Sequence, residues 1–518
     1  MENASKKFGL IFLILSVLIW AGVLFFVFKP NGNIRYHLVL TGLSKGYIKP
    51  YFAKFAPYRG KQMGGAAYAE AQLQQVVASF SGEPYNFFSV GSEISGTADA
   101  YFSRGSAVID VLNALKIEAM LVGNIEFTFG KERLNELSKL AKFPFLSSNI
   151  LEDGAVLPPS YLIPGKIFNV AKGLKIGLLG LSPPNTPTLT AQGNVAGLRF
   201  IPPGLELNSQ VKGLREKGAD LIILLSLYDQ DRLTPEDWNQ IVEAKPDVFT
   251  LIDFNVEPPA PIMRDGVLIK TVSGYNQGKE LELLDIELSP PPMKILAYSG
   301  RRIPIFCDQL QPDSIIEGLL KRNSGDIEEI KAEKIADFAE DYERQFEQEC
   351  AIGDFLAEIV RDYFKADMGF QNSGGIQANI RKGSFTLGDL FDVLPFNNQI
   401  VSMTLSGQDI LELLTISASL ERGLLQVSSC SYVFANRDIK DFELKEVKVG
   451  GLPIVATQSY RVSTNSFLAE GGDGYGVFRK GRNIQFGPLQ REAIRDYLKT
   501  NNSSESIILK TDGRIKRE

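Results

Sequence analysis

The residues able to hold an ion or move a proton are few and scattered. Histidine occurs once, at His37, so this chain supplies neither an imidazole dyad nor a multi-histidine metal centre. The oxygen donors worth following sit in short loops after apolar runs. They are Asn124 in "LVGNIEFTFG", Asp253 and Asn255 in "LIDFN", and the acids Glu93 and Glu126. Two divalent cations held close together require several carboxylates or imidazoles to offset their charge and desolvation. One or two neutral amides do not compete with water for Mg²⁺ or Zn²⁺. A second set lies among glycines, in "QNSGGIQ" (Asn372, Gly374, Gly375) and "NSFLAEGGDGY" (Phe467, Asp473). These glycines permit tight turns with or without a ligand. An Asp in such a turn either bonds its own backbone or faces a ligand, and Phe467 is either core or a flat face for stacking. Asn124 likewise either holds its loop by hydrogen bonds or serves as a ligand.

Three cysteines, Cys307, Cys350 and Cys430, are too few for a disulfide scaffold or a thiolate zinc site. One pair could bridge in an oxidising compartment, and spacing does not say which. A net charge of -6 argues against a nucleic-acid partner, whose binders carry a basic surface. The 518 residues, 44% hydrophobic and 22% charged, suit two or three globular domains.

After the tail of residues 1–7 comes "FGLIFLILSVLIWAGVLFFVF", residues 8–28, without a charge. As a helix it is about 31 Å long, matching a hydrocarbon core of about 30 Å. A cleaved signal peptide has a shorter apolar region followed by a small-residue site; here "KPNGNIRYH" follows. The expectation is a single-pass anchor with a cytoplasmic tail. Lys6 and Lys7 balance Lys29 and Arg35 across it, but long domains cross largely regardless of flanking charge. The large domain is therefore expected outside the cytoplasmic membrane, in the periplasm or on the cell surface.

From residue 34 to about 290, short apolar runs such as "YHLVLTGL", "LKIGLLGLS" and "ADLIILLSL" alternate with segments of helical spacing such as "GGAAYAEAQLQQVVASF". This predicts a layered α/β sheet domain. Three prolines in "ELSPPPMKILAY" suit a domain edge, and the charged stretch from "SIIEGLLKRN" reads as a connecting helix.

The second half resembles the C-terminal domain of the 5′-nucleotidase family. An Asn-x-Gly-Gly-Ile loop, a Leu-Pro-Phe-x-Asn segment and a Gly-Gly-Asp-Gly turn stand in the family's order in "QNSGGIQANIRKGSFTLGDLFDVLPFNNQI" and "TNSFLAEGGDGYGVF". The first half resembles, more faintly, the calcineurin-like metallophosphatase domain that precedes it in that family. The resemblance implies a four-layered α/β sandwich over 34–300, a linker helix over 301–340 and an α+β domain over 341–512. It also implies a phosphohydrolase that cuts nucleotides outside the cytoplasm with two metals and an assisting His–Asp pair.

The aligned positions do not supply that chemistry. The first-loop Asp and His fall on Leu43 and Lys45, the bridging Asp on Ser92, the assisting His and Asp on Ile125 and Thr128, and a later His on Leu227. Asn124 survives, and the final Gly-His-x-His stretch leaves Asp253 and Asn255. An ammonium at Lys45 would repel a nearby metal by several kcal/mol, on the order of 4 at intermediate dielectric. The expectation is a pseudoenzyme without a metal cofactor, and the alternative is an active phosphohydrolase with an altered metal site. The family's nucleoside pocket is partly kept. Asn372 matches its glycine-loop asparagine, Phe467 one stacking ring and Asp473 the ribose carboxylate. The other ring falls on Leu424, the loop arginine on Gln377 and a further arginine on Phe346, leaving Arg381 and Arg344 as nearby cations. A nucleoside or nucleotide ligand and an envelope protein complex are the partners this reading implies.

Overall fold

Side chains of the strand Ile34–Thr41 alternate between two apolar environments, and this alternation sets the layers of the first domain. Leu38 and Leu40 pack with Phe88, Leu178, Ile223 and Leu225, whereas Val39 packs with Val76, Val108 and Leu112. The first environment lies between two six-stranded sheets; the second lies between one sheet and its helices. This computed structural model describes residues 32–53, 57–255, 259–438, 441–501 and 506–518. The expected tail and membrane span, residues 1–28, lie outside the described residues. Among the described residues no helix is long and apolar enough to cross a membrane.

The first sheet runs in the order Ile295–Pro304, Glu280–Leu288, Ile34–Thr41, Tyr85–Ser89, Ala119–Leu121, Phe145–Leu146. Its last four strands are parallel. The second has parallel inner strands Val267–Ser273, Val248–Asp253, Leu221–Ser226 and Lys175–Leu181, with antiparallel edges. Helices Ala66–Ser79, Ser106–Ala114 and Lys131–Leu140 cover the outer face of the first sheet. Leu205–Glu216 and Pro235–Ala244 cover that of the second. The sheets approach so closely at Gly180 that a Cβ there would come within 2.8 Å of the Leu146 Cβ.

The proline run does not end the domain. It turns a hairpin between Glu280–Leu288 and Ile295–Pro304, both in the first sheet, because prolines fit a turn that has no ladder to complete. The helix Ser314–Lys331 follows, capped by Asp313, whose carboxylate accepts from the Ile315 and Ile316 N–H groups. Its Ile316 and Leu320 join the first domain's core, and its Ile327 packs between Phe102 and Phe391.

The second domain centres on a five-stranded sheet, Leu425–Ser428, Met368–Asn372, Ser459–Asn465, Gln399–Ser406, Arg482–Leu489. Helix Ala351–Phe364 packs beside it. The three cysteines are unbridged, so none of the pairings left open by the sequence forms. His37 stacks on Phe80, centroids 3.8 Å apart, and pairs through Nδ1 with Asp285, a structural role.

The domains meet around a buried cation. The Arg491 guanidinium lies between the rings of Tyr101, 4.6 Å away, and Phe391, 4.3 Å away. It donates to the carbonyls of Leu394 (2.6 Å) and Phe396 (2.7 Å) and to Asn397 Oδ1. Asn397 in turn donates to Ser95 Oγ across the junction at 2.8 Å. Arg491→Met is expected to leave buried carbonyls unpaired at about 1–3 kcal/mol each. The second domain's unfolding midpoint in urea should fall clearly; an unchanged midpoint would show that Arg491 is not what holds this junction.

Candidate functional site

Parallel strands deliver their carboxyl ends to one edge of each sheet, and here both edges open into one cleft. The loop after Ile34–Thr41 brings Leu43 and Lys45, the loop after Tyr85–Ser89 brings Ser92, and the loop after Ala119–Leu121 brings Asn124, Ile125 and Thr128. From the second sheet come Leu227 and Phe254. The second domain closes the cleft with Asn397, Gln399, Phe467 and Phe486, around a cavity of about 640 Å³.

Asp253 and Asn255 are not brought into this cleft. Side chains in a strand alternate, and the residues that line the cavity are Ile252 and Phe254. Asp253 is buried on the other side, where its Oδ1 accepts from the Asn255 N–H at 2.6 Å. Asn124 does line the cleft, yet its amide makes no hydrogen bond among the described residues. The loop is held instead by Glu126.

That acid and its neighbour Glu93 are buried behind the cleft. Glu126 accepts from the Glu93 N–H and from the Gly123 N–H, each at 2.8 Å, joining two loops. Glu93 accepts from the hydroxyls of Ser44 and of Ser89. Burial pushes the Glu93 carboxyl up and the Glu126 carboxyl up to about 7, opposed by those backbone N–H groups. Neither carboxylate lines the cavity. Leu227 fills the floor: a Cβ on Gly123 would come within 2.3 Å of its Cδ1.

In the second domain Asn372 and Asp473 are brought together. Asp473 has a left-handed backbone, φ 53°, and accepts from Asn372 Nδ2 at 2.7 Å instead of bonding its own backbone. Asn465 Nδ2 fixes the asparagine's oxygen from behind at 3.1 Å. Gly374 sits beside this pair, with Asp473 Oδ2 3.5 Å from where a Cβ would stand. Phe467 is 43% exposed and lines the cleft, so it is not a core residue. Leu424 is 1% exposed and belongs to the core, so it offers no face to a ligand. The exposed rings that sequence alignment missed are Phe396 and Phe346, at 49% and 47%. Phe346 packs over Gly423, and Phe396 directly precedes the cleft residue Asn397 in the Leu-Pro-Phe segment, which was the signal available. Arg381 projects outward and pairs with Asp341 at 3.4 Å. Arg344 Nη1 donates to the Ile376 carbonyl and Gln377 Nε2 to that of Gly374.

Residues 328–480 match the family described as 5′-nucleotidase, C-terminal domain. The snake venom 5′-nucleotidase of Naja atra is 25% identical over 487 residues, covering 84% of this chain and 90% of the relative. The chain belongs to the 5′-nucleotidase family. Endonuclease YhcR of Bacillus subtilis is 22% identical over 433 residues; the match covers 79% of this chain and 34% of the relative, so the chain spans about a third of that protein. The structure of Haemophilus influenzae NAD nucleotidase superposes with a TM-score of 0.66 at 18% identity, covering 94% of this chain and 99% of that one, which speaks to fold.

A 5′-nucleotidase-type metal pair does not fit the cleft as built. Leu43, Ile125 and Leu227 offer no donor atom and Lys45 brings positive charge; Glu126 is turned into backbone hydrogen bonds, Glu93 into serine hydroxyls, and the wall acids Asp229 and Asp237 accept within their own loops. Among the described residues the acid cluster with ligand-like spacing is Glu349, Asp354 and Asp512, in the second domain. Arg514 serves it, 3.6 Å from Asp354 and 2.7 Å from Asp512. Glu349 is committed to the N–H groups of Gly513 and Ile515.

Glu126→Gln should set an amide N–H against one of the two backbone donors. One buried donor then loses its acceptor, for about 1–3 kcal/mol, read as a lower thermal midpoint of the full chain. Burial first, with Glu349 and Asp512 adding and Arg514 opposing, pushes the Asp354 carboxyl up to about 8. The folded chain then holds this proton more tightly than an unfolded chain with the ordinary value of 3.8. Its stabilisation is complete below about pH 4 and is lost as pH rises through about 8. Wild type should therefore lose stability relative to Asp354→Asn over that interval in urea titrations; a difference independent of pH would contradict the assignment.

Proposed function

We propose that this 5′-nucleotidase relative is a pseudoenzyme that binds a nucleoside-like ligand and does not hydrolyse phosphate esters. One observation carries the reading. Apart from Asp253 and Asn255, the positions aligned with metal ligands and the His–Asp pair gather at one cleft as leucine, isoleucine, lysine, serine, threonine and one free amide. The same cleft keeps an exposed ring at Phe467, and the Asn372–Asp473 pair stands on the second domain. Relatives such as the 5′-nucleotidase of Vibrio cholerae support a nucleotide-like ligand class. In this reading residues 8–28 anchor the chain in the cytoplasmic membrane with the described domains in the periplasm or on the cell surface. An envelope protein complex is the protein partner this reading includes, and the acidic net charge argues against nucleic acid.

Calorimetry on the full chain in detergent, titrated with adenosine, is the test. Binding heat is expected, weakened by Phe467→Ala about fivefold to a hundredfold, the equivalent of one lost stacking face. Phosphate release from AMP with Mn²⁺, Zn²⁺ or Mg²⁺ should stay at the buffer rate. Turnover abolished by Asn124→Ala would replace this reading with that of an active phosphohydrolase.

A further inference from the structure

We propose that Lys45 is an anion anchor standing where the family presents a metal ligand, and that the cleft takes a nucleoside monophosphate with its phosphate on this ammonium. The inference rests on the nucleoside-binding reading above and adds the ligand's charged end.

The lysine is held in place by its backbone. Its N–H donates to the Ser92 carbonyl at 2.9 Å, and that of Leu43 to the Gly91 carbonyl at 2.7 Å. Its own φ is 50°, in the left-handed region. Gly96 of the same loop, φ 142°, lies so close that a Cβ there would come within 2.2 Å of the Lys45 carbonyl oxygen. The backbone of Lys45 is thus pinned along the loop of residues 91–96, and its half-buried side chain lines the cavity.

The charge has no counter-ion. Among the described residues no carboxylate lies within ion-pair distance of the Lys45 ammonium, and Lys45 is the one cation lining the cavity. Burial lowers its pKa, with no acid opposing the shift, the state of a cation that gains by receiving an anion. Of the three acids on the cavity wall, two are engaged within their own loops and the third is solvent-exposed. Asp237 accepts from the Thr234 N–H and hydroxyl, Asp229 from the Asp231 N–H, and Glu470 is exposed.

The surroundings suit phosphate. Ser92 and Asn124 line the cavity beside Lys45, and neither side chain is committed to a hydrogen bond among the described residues. An ammonium, a hydroxyl and an amide supply several donors to one tetrahedral anion, with the charge-assisted contact the strongest. The same cavity of about 640 Å³ reaches Phe467, so a single molecule with a flat base at one end and a phosphate at the other occupies both.

Calorimetry on the full chain, with chelator present throughout, compares adenosine with AMP at low and at moderate salt. AMP is expected to bind at least about tenfold more tightly than adenosine, by the ratio one charge-assisted contact provides. Lys45→Met and Lys45→Gln should close that gap and Lys45→Arg should preserve it, with thermal midpoints checking that each variant folds. Equal affinities in the wild type, or a gap that survives in both neutral variants, would overturn the anchor while leaving adenosine binding intact. Absence of adenosine binding would instead overturn the reading on which the anchor rests.

Discussion

One carboxylate holds the cleft's geometry. Glu126 takes a backbone N–H from each of two loops, at Glu93 and at Gly123. Glu93 then carries the connection to a third loop through Ser44 and back to its own strand through Ser89. Loops at the carboxyl ends of parallel strands present converging backbone groups that need partners when buried. In a two-metal site the cations also tie such loops together through their shared ligands. Here the tie is made by buried acids behind the cleft and by Leu227 packed onto Gly91 and Gly123 within it. The scaffold of a phosphatase edge can thus keep its shape with no ion in the count of its bonds.

The second constraint is the domain junction. Phe467, Gln399 and Asn397 form a wall of the cleft only because the second domain is seated against the first. The seat is small: Tyr101 and Phe102 against Phe391, Ile327 from the connecting helix, and Arg491 between the rings. Its guanidinium satisfies the carbonyls of Leu394 and Phe396 and fixes Asn397, the segment that enters the cleft. The cation–π sandwich and the paired carbonyls offset part of the penalty of a buried charge, which still lowers the Arg491 pKa through burial. Residues 394–399 thus join the wall of the cleft to the seat between the domains.

Much of this was legible in the sequence, for physical reasons that differ by element. The strands of the first domain announced themselves because strands buried on both faces read as continuous apolar runs. The turns of the second domain did so because only certain residues fit them: Gly375, where a Cβ would come within 2.7 Å of Asn372 Oδ1, and the Gly-Gly-Asp-Gly turn, where Gly471, Asp473 and Gly474 have positive φ. What failed depended on direction or partnership. Asp253 was read as a cleft donor, but strand parity turns it away while Ile252 and Phe254 face in. The second stacking ring falls on Leu424, which is in the core, and the sequence did not single out the exposed rings at Phe396 and Phe346. The three prolines looked like a domain edge because a turn inside a sheet and a turn between domains use the same residues.

Electrostatics explains why the degenerate positions change as a set in the reading proposed here. Carboxylates that face a metal pair are tolerable in a semi-enclosed cleft because the cations neutralise them. Strip the cations and each remaining carboxylate is a partly buried charge without a partner, costing several kcal/mol or forcing its protonation. Strip one carboxylate and keep the cations, and the positive charge is left in excess. Intermediate states are therefore penalised from both sides, and the low-energy outcomes are a complete ligand set or none. A cleft that has reached the second outcome has leucine and isoleucine at its floor, and the acids left on its wall, Asp229 and Asp237, are bonded within their own loops. Lys45 is then the one cation at the positions aligned with metal ligands, and in the reading proposed here an anionic group is its complement.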